Sequence, residues 1–220
     1  MIEPRVKICG LVRRVDALHA AAAGADYLGV VLVAGSPRAR TPEEARQLLS
    51  GIQRPIVIVV ADLPVPAVVA AAETVGASVV QLHGGESPEV VREVREAGPW
   101  AVWKALRVRE AGDVAGGLSR FGSVADGLLL DGWHPEKLGG TGEAFPWGVV
   151  SGIRESAPPG LHLIAAGGLE PSNVAEAIAC MHPHVVDVSS GVEVRVGVKD
   201  PGLLEAFIRS VRSETGGGIG

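Results

Sequence analysis

The sequence has few of the features that mark membrane, secreted or nucleic-acid-binding proteins. No apolar run approaches the length that spans a bilayer, and the opening MIEPRVKICG lacks the apolar stretch of a signal peptide. The only two cysteines, Cys9 and Cys180, cannot build a disulfide framework and have no metal-ligand spacing. The formal net charge of −5 argues against a nucleic-acid or anionic-membrane surface across the whole chain. We therefore expect a cytoplasmic protein with neither a membrane nor a nucleic-acid partner.

What the sequence has instead is a repeated alternation of short apolar runs and helical patterns. The runs are rich in β-branched residues and begin near Val6, Tyr27, Ile56, Val79, Ala101, Gly127, His162 and Val185. Helix-start signals lie between them, such as the capping box of Thr41 and Glu44 with Pro42 at the first helical position. Eight strands alternating with helices in a chain of 220 residues predict an α/β protein with a (β/α)8 TIM-barrel fold.

The pattern shows no internal boundary, so we expect a single barrel domain over residues 1–213. The glycine-rich residues 214–220 cannot pack a core and are expected to form a disordered tail. An open, doubly wound sheet is the alternative architecture. Its dinucleotide-binding version has a G-x-G-x-x-G turn after the first strand, whereas this chain has Cys9-Gly10-Leu11-Val12-Arg13 there.

Two turns rich in glycine and serine follow the seventh and eighth predicted strands. Parallel strands joined by a crossover helix place both turns on the same edge of the sheet. Glycine lets backbone N–H groups approach phosphate oxygens, and a helix beginning near Pro171 would add a favourable dipole. Either turn alone is also compatible with a purely structural role. Together they predict a phosphate site after strands 7 and 8, formed by Gly167, Gly168, Ser189, Ser190 and Gly191.

Four further residues follow predicted strands at the barrel end where active sites lie. Cys9 follows the first strand, where its thiolate is a candidate general base and a small buried apolar role is the alternative. Asp131 ends the sixth strand and is a candidate general acid or a loop cap. Arg38 is either a solvated surface arginine or the partner of a substrate carboxylate. His83, after the fourth strand, is expected to be a hydrogen-bonding wall residue of the site rather than a metal ligand.

Two other features bear on this predicted site. Lys7 shares the strand face of Cys9, so it is expected to point into the barrel, where Asp187 is a candidate partner by position. The long interval between strands 6 and 7 contains a glycine-rich loop over residues 131–142, which is typical of a lid.

At these residues the chain resembles the phosphoribosylanthranilate isomerase family of tryptophan biosynthesis. Matching segments occur in the same order along nearly the whole chain, and the combination of KICG with DVSSGVE is specific. They are Val6-Lys7-Ile8-Cys9-Gly10, Ser36-Pro37-Arg38, Val80-Gln81-Leu82-His83-Gly84, Leu129-Leu130-Asp131, Gly139-Gly140-Thr141-Gly142, Ala166-Gly167-Gly168-Leu169 and Asp187-Val188-Ser189-Ser190-Gly191-Val192-Glu193.

The resemblance implies an Amadori rearrangement of N-(5-phosphoribosyl)anthranilate without a metal or an organic cofactor. Asp131 would protonate the ribose ring oxygen and open the ring to a Schiff base. Cys9 would then remove the C2′ proton, and Arg38 would hold the anthranilate carboxylate. His83 and Gly140 would also contact the substrate, and the two turns would hold its phosphate. The expected binding partner is therefore a small phosphoribosyl compound, and the protein is expected to be a monomer or a homodimer.

Two other functions stay open at this point. The related histidine-pathway isomerase, or a dual-substrate version of it, has an aspartate on the first strand and a second phosphate turn. Here Cys9 occupies that place, and the turn after the third strand, Asp62-Leu63-Pro64, is poor in glycine. A phosphate-ligand-binding barrel without catalysis is the third possibility, although Cys9 and Asp131 argue against it.

Overall fold

Eight parallel strands close into a barrel in which each strand pairs with the next and β8 pairs with β1. The computed structural model describes residues 3–132 and 152–216. The strands are β1 (Arg5–Ile8), β2 (Tyr27–Val31), β3 (Ile56–Val60), β4 (Val79–Leu82), β5 (Ala101–Val108), β6 (Gly127–Gly132), β7 (His162–Ala166) and β8 (Val185–Val188). Seven begin at the residue that the sequence pattern predicts, and β1 begins one residue earlier. The predicted (β/α)8 fold is confirmed.

Helices connect the strands and cover the outside of the barrel. They are α1 (Arg14–Ala23), α2 (Pro42–Leu49), α3 (Val65–Val75), α4 (Pro88–Glu96), α5 (Ala111–Phe121), α6 (Ile153–Ser156), α7 (Val174–Met181) and α8 (Pro201–Gly216). The capping box of Thr41 and Glu44 is present at α2, as predicted. Within the described ranges, no helix has the length and apolarity needed to cross a membrane. Helix α8 continues past residue 213, and residues 217–220 lie outside the described ranges.

The structure differs from the sequence prediction around β8. Helix α7 begins at Val174, so the placement of Pro171 in its first turn is wrong. The Asn173 side chain explains the late start, because it accepts from the Glu170 N–H and donates to the Gly168 carbonyl, each at 2.9 Å. These bonds hold the intervening residues as a turn.

After β8, a short 3-10 turn and an antiparallel hairpin of β9 (Glu193–Arg195) and β10 (Val198–Lys199) precede α8. The sequence analysis predicted neither the turn nor the hairpin.

The inside of the barrel is filled by a separate apolar cluster. Its members point inward and come mostly from the first halves of the strands: Tyr27, Val57, Val79, Trp103, Leu129, Ile164, Ala166 and Val185. The rings of Tyr27 and Trp103 meet edge to face with centroids 5.2 Å apart. Because strand residues alternate between faces, the next inward positions lie nearer the carboxyl ends of the strands. The packed interior therefore confines polar chemistry to that end.

Two stacked histidines lie at the opposite end of the barrel, where β7 and β8 begin. The rings of His162 and His184 have centroids 5.1 Å apart, and His184 Nδ1 accepts a hydrogen bond from the Leu163 N–H at 3.0 Å. Burial lowers the pKa of His184 to about 4, and the positive charges of Arg154 and His162 add to the shift. Between about pH 6.5 and 4 the unfolded chain therefore binds a proton at His184 that the folded chain does not.

We predict that the free energy of unfolding declines as the pH falls through this window, and that His184→Asn makes the decline smaller. Asparagine keeps an acceptor for the Leu163 N–H but does not titrate. Urea unfolding at pH 7 and pH 5 measures the difference, with His182→Asn, at an exposed neighbouring residue, as the matched control. An equal decline in wild type and His184→Asn would show that His184 does not contribute.

Candidate active site

Cys9 is fixed at the mouth of the barrel by the strands on either side of β1. Its N–H donates to the Val188 carbonyl at 2.8 Å, and its side chain lies beside Gly29 on β2. A Cβ on Gly29 would lie only 3.0 Å from both the Cys9 sulfur and Lys7 Cε, so glycine at this position makes room for both side chains. Only 7% of Cys9 is exposed. The thiol is therefore placed at the predicted site but is almost covered.

The environment of Cys9 favours the thiol over the thiolate. Burial raises the pKa of Cys9, the positive charge of Lys7 works against that rise, and the carboxylate of Asp187 adds to it. Lys199 also favours the ionised form. A thiolate at this position is therefore scarce but strongly basic, and its stability depends on the lysines around it.

Lys7 points into the barrel and is fully buried, as strand alternation predicts. Its ammonium donates to Asp187 Oδ2 at 2.9 Å and to Gln81 Oε1 at 2.8 Å, which confirms Asp187 as its partner. Burial by itself lowers the pKa of Lys7, but the charges of Asp187 and Cys9 outweigh burial and raise it. The ammonium is therefore charged inside the barrel. Asp187 Oδ1 is buried with no hydrogen-bond partner among the described residues.

Asp131 lies at the end of β6 beside His83. Asp131 Oδ2 is 3.4 Å from His83 Nε2, and both side chains are about one-third exposed, at 31%. On its other side, Gly167 approaches the carboxylate so closely that a Cβ there would be 2.7 Å from Asp131 Oδ1 and would overlap the Gly132 backbone. The predicted acid is therefore half-open to the mouth of the barrel and adjoins the first glycine turn.

The two predicted phosphate turns pack directly against each other. Gly167 and Gly168 have φ of +84° and +68°, a left-handed conformation that glycine adopts without strain. A Cβ on Gly191 would overlap the Leu169 carbonyl oxygen, so only glycine allows the second turn to touch the first. Ser189 precedes the 3-10 turn of residues 190–192 and has its hydroxyl beside Gly10, at the Cys9 side of the mouth. The structure thus brings the two turns together.

Arg38 is held by a buried carboxylate that the sequence analysis did not identify. Its Nε and Nη2 donate to Glu193 Oε1 and Oε2 at 2.9 and 2.6 Å, a bidentate pair. Lys199 donates to the same carboxylate at 2.9 Å and to the Ser189 carbonyl at 2.9 Å. Burial raises the pKa of Glu193, but Arg38 and Lys199 outweigh it and the pKa is lowered. Glu193 is therefore an anion that fixes Arg38 next to the second turn.

Sequence reasoning missed Gln81, Glu193 and Lys199. Gln81 had a signal, because it precedes His83 by two residues and so shares its strand face. Nothing in the spacing pointed to Glu193 or Lys199, which lie on the unpredicted hairpin. Gly140 and most of the predicted lid lie outside the described residues. Within residues 3–132 and 152–216, no group of three His, Cys, Asp or Glu side chains has the geometry of a metal site.

Comparison with known proteins gives one consistent family. The sequence model described as N-(5′-phosphoribosyl)anthranilate (PRA) isomerase matches residues 6–210. The N-(5′-phosphoribosyl)anthranilate isomerase of Pseudomonas putida is 41% identical over 216 residues, which is 96% of this chain and 99% of that protein.

Solved structures agree with the sequence comparison. Monomers generated from the dimeric phosphoribosylanthranilate isomerase of Thermotoga maritima superpose with a TM-score of 0.84 at 33% identity, covering 96% of this chain and 99% of that chain. A phosphoribosylanthranilate isomerase in complex with reduced 1-(o-carboxyphenylamino)-1-deoxyribulose 5-phosphate has a TM-score of 0.82 at 32% identity, with the same coverage.

The burial of Cys9 predicts how its alkylation depends on pH. In a Cys180→Ser background, the rate of reaction with iodoacetamide should rise about tenfold per pH unit and reach half its maximum above the ordinary thiol pKa of about 8.5. The reason is that only the thiolate reacts and burial raises the pKa of Cys9. Mass spectrometry of the modified chain gives the rate. A plateau already reached at pH 7 would contradict this account of the site.

Proposed function

The chain belongs to the N-(5′-phosphoribosyl)anthranilate isomerase family, and we propose here how its barrel mouth catalyses the rearrangement. The reaction converts an aminoaldose into an aminoketose within one molecule, a step of tryptophan biosynthesis. It requires an acid at the ribose ring oxygen and a base at C2′. One observation supports the assignment most strongly: Asp131 adjoins the first glycine turn and Cys9 lies beside the second. A phosphate held by the turns would place one sugar between both groups.

In the first step Asp131 acts as general acid. The carboxylic acid gives its proton to the ring oxygen, the bond from C1′ to that oxygen breaks, and the electron pair of the anilino nitrogen forms the Schiff base. The product of this step is an open-chain iminium ion, and Asp131 is left as a carboxylate. His83 Nε2, at 3.4 Å, is positioned to donate to that carboxylate.

In the second step Cys9 acts as general base. The thiolate removes the C2′ proton, and the electron pair of the broken C–H bond moves toward the iminium nitrogen to give an enolamine. Tautomerisation then gives the ketone. The raised pKa of Cys9 suits this role, because proton abstraction from carbon needs a strong base. The iminium charge of the substrate adds to Lys7 and Lys199 in favouring the thiolate.

Arg38 is proposed to hold the anthranilate carboxylate. A guanidinium has five N–H donors, and Glu193 uses two of them. The remaining donors, including both on Nη1, can serve a carboxylate. Since Glu193 fixes the plane of the guanidinium, little side-chain entropy is lost when substrate binds. The phosphate is proposed to lie on Gly167, Gly168, Ser189, Ser190 and Gly191.

The opposite side of the mouth is unsuited to the second phosphate of the histidine-pathway substrate. The backbone N–H groups there are already bonded to carboxylates: Gly85 donates to Asp62 at 2.7 Å, and Gly84 donates to Glu86 at 3.1 Å. An added phosphate would meet the carboxylate of Asp62, and the N–H groups of Gly84 and Gly85 are already engaged. We therefore propose a single phosphoribosyl substrate. We also propose a cytoplasmic enzyme, acting as a monomer or a homodimer.

The roles of the acid and the base predict separate losses of turnover. Cys9→Ser and Asp131→Asn should each lower kcat by about a hundredfold or more, the usual effect of removing a general base or acid. The loss of anthranilate fluorescence from freshly made phosphoribosylanthranilate measures the rate. Cys180→Ser is the matched control for the thiol and should leave kcat unchanged. A variant of Cys9 or Asp131 with wild-type kcat would refute that residue's role.

The role of Arg38 predicts a loss of binding rather than of chemistry. Arg38→Met should raise KM at least about tenfold with a smaller effect on kcat, because a charged hydrogen-bonding partner of the bound substrate is lost. Arg46→Met, at an exposed position on α2, is the matched control. If kcat alone falls while KM stays constant, Arg38 does not hold the ground-state carboxylate.

A further inference from the structure

A network of polar contacts leads from the proposed base to the proposed acid, and the buried Lys7 is its centre. Two of the three N–H donors of the ammonium go to Gln81 Oε1 and Asp187 Oδ2, at 2.8 and 2.9 Å. The Lys7 side chain has no exposed surface and that of Gln81 almost none, so solvent screens the charge poorly. The ammonium therefore acts strongly on whatever polar groups lie against it.

On one side the ammonium acts on Cys9. The two residues share the inward face of the chain at β1, and their side chains border the same gap beside Gly29, where a Cβ would be 3.0 Å from each. The positive charge of Lys7 favours the Cys9 thiolate. A fixed positive charge next to a buried sulfur is the arrangement that makes a thiol ionise.

On the other side the ammonium determines how Gln81 is oriented. An ammonium only donates, so the amide atom that faces Lys7 must be the oxygen, and the NH2 group faces His83. Gln81 Nε2 is 2.9 Å from His83 Nδ1, and because an NH2 group donates, this ring nitrogen must be the acceptor. The proton of the neutral imidazole then lies on Nε2, the atom that faces Asp131 at 3.4 Å. The donor and acceptor atoms are thus determined from Lys7 to His83 Nε2, which faces the acid.

We propose that Lys7 is a positioning residue for both proton transfers: it stabilises the Cys9 thiolate and, through Gln81, fixes the His83 tautomer that donates to Asp131. This inference rests on the proposed function, because it takes Cys9 as the base and Asp131 as the acid. Gln81 and His83 are positioning residues in the same sense. A proton on Nδ1 would face the NH2 group of Gln81, so the contact favours the tautomer with its proton on Nε2, toward Asp131.

Other charged groups surround the network and constrain the test. Around Cys9, Lys7 and His83 these include Asp187 on β8, Lys199 on β10, Arg38 after β2 and Asp131 on β6. Removing the ammonium alone would leave Asp187 as an unpaired buried charge, which destabilises a fold strongly. The test therefore replaces Lys7 and Asp187 together by neutral side chains and leaves the net charge unchanged.

The first experiment tests the base side with Lys7→Met/Asp187→Asn in the Cys180→Ser background. Alkylation of Cys9 by iodoacetamide at pH 8 should slow, because Lys7 favours the thiolate more strongly than Asp187, which is removed with it, opposes it. The kcat for phosphoribosylanthranilate should fall and KM should change little. If the protein melts cooperatively near the wild-type temperature and alkylation is unchanged, the stabilisation of Cys9 by Lys7 is refuted.

The second experiment tests the acid side and does not disturb the Lys7–Asp187 pair. Gln81→Glu keeps an oxygen for Lys7 but turns the donor to His83 into an acceptor. The His83 proton should move to Nδ1, visible in ¹⁵N NMR of the ring nitrogens, with the His83 signals assigned by their loss in His83→Asn. The kcat should fall about tenfold, the effect of one lost hydrogen bond to a charged group. Gln53→Glu, at an exposed position, is the matched control.

A wild-type His83 ring that carries its single proton on Nδ1 would overturn the tautomer assignment. Failure of the proposed function can be distinguished from failure of the network proposal, because the alkylation rate of Cys9 and the ¹⁵N shifts of His83 do not depend on turnover. If both physical readouts change as expected while Cys9→Ser and Asp131→Asn retain full activity, the network exists and the catalytic roles are wrong. If Cys9→Ser and Asp131→Asn lose activity while neither readout changes, the roles stand and the network proposal fails.

Discussion

The Lys7–Asp187 ion pair is the interaction on which the rest of the active site depends. Strand β1 closes the barrel against β8, and the parallel register places these two residues directly opposite each other. A slip of one residue would turn Lys7 out of the barrel and leave Asp187 unpaired, at a cost of several kcal/mol. The ion pair therefore stabilises one register of the β1–β8 pairing that closes the barrel. That register in turn places Cys9 beside Val188 and the second glycine and serine turn.

The rest of the site is pre-organised by contacts within the protein. Gly167 and Gly191 allow the two turns to touch each other and the first turn to touch Asp131, where any larger residue would collide. Glu193 fixes the orientation of the Arg38 guanidinium. Such contacts reduce the entropy lost on binding and hold the reacting groups in place. Charged side chains that would be costly to bury alone are thus paired around a small polar mouth above an apolar interior.

Much of this could be predicted from the sequence because it depends on local patterns. Short β-branched runs located the strands, and strand alternation placed Lys7 and Cys9 on one face. The first glycine turn was predictable because few other residues adopt its left-handed conformation, and the second because its glycine leaves room for the first. The start of α7 was missed because the Asn173 side chain competes with a helical turn, an interaction between specific atoms rather than a pattern. Glu193 was missed because its partner is 155 residues away in the chain. The raised pKa of Cys9 was missed because burial is a property of the whole barrel.

The central claim is that Cys9 lies in the site that binds the phosphoribosyl substrate. Alkylation of Cys9 in the presence of reduced 1-(o-carboxyphenylamino)-1-deoxyribulose 5-phosphate tests it most directly, with binding of the compound followed by calorimetry in the same buffer. We expect saturating compound to abolish alkylation and inorganic phosphate, which lacks the sugar and the anthranilate, to slow it less. If the compound binds and Cys9 is alkylated at the same rate as in its absence, Cys9 lies outside the substrate site and cannot be the base.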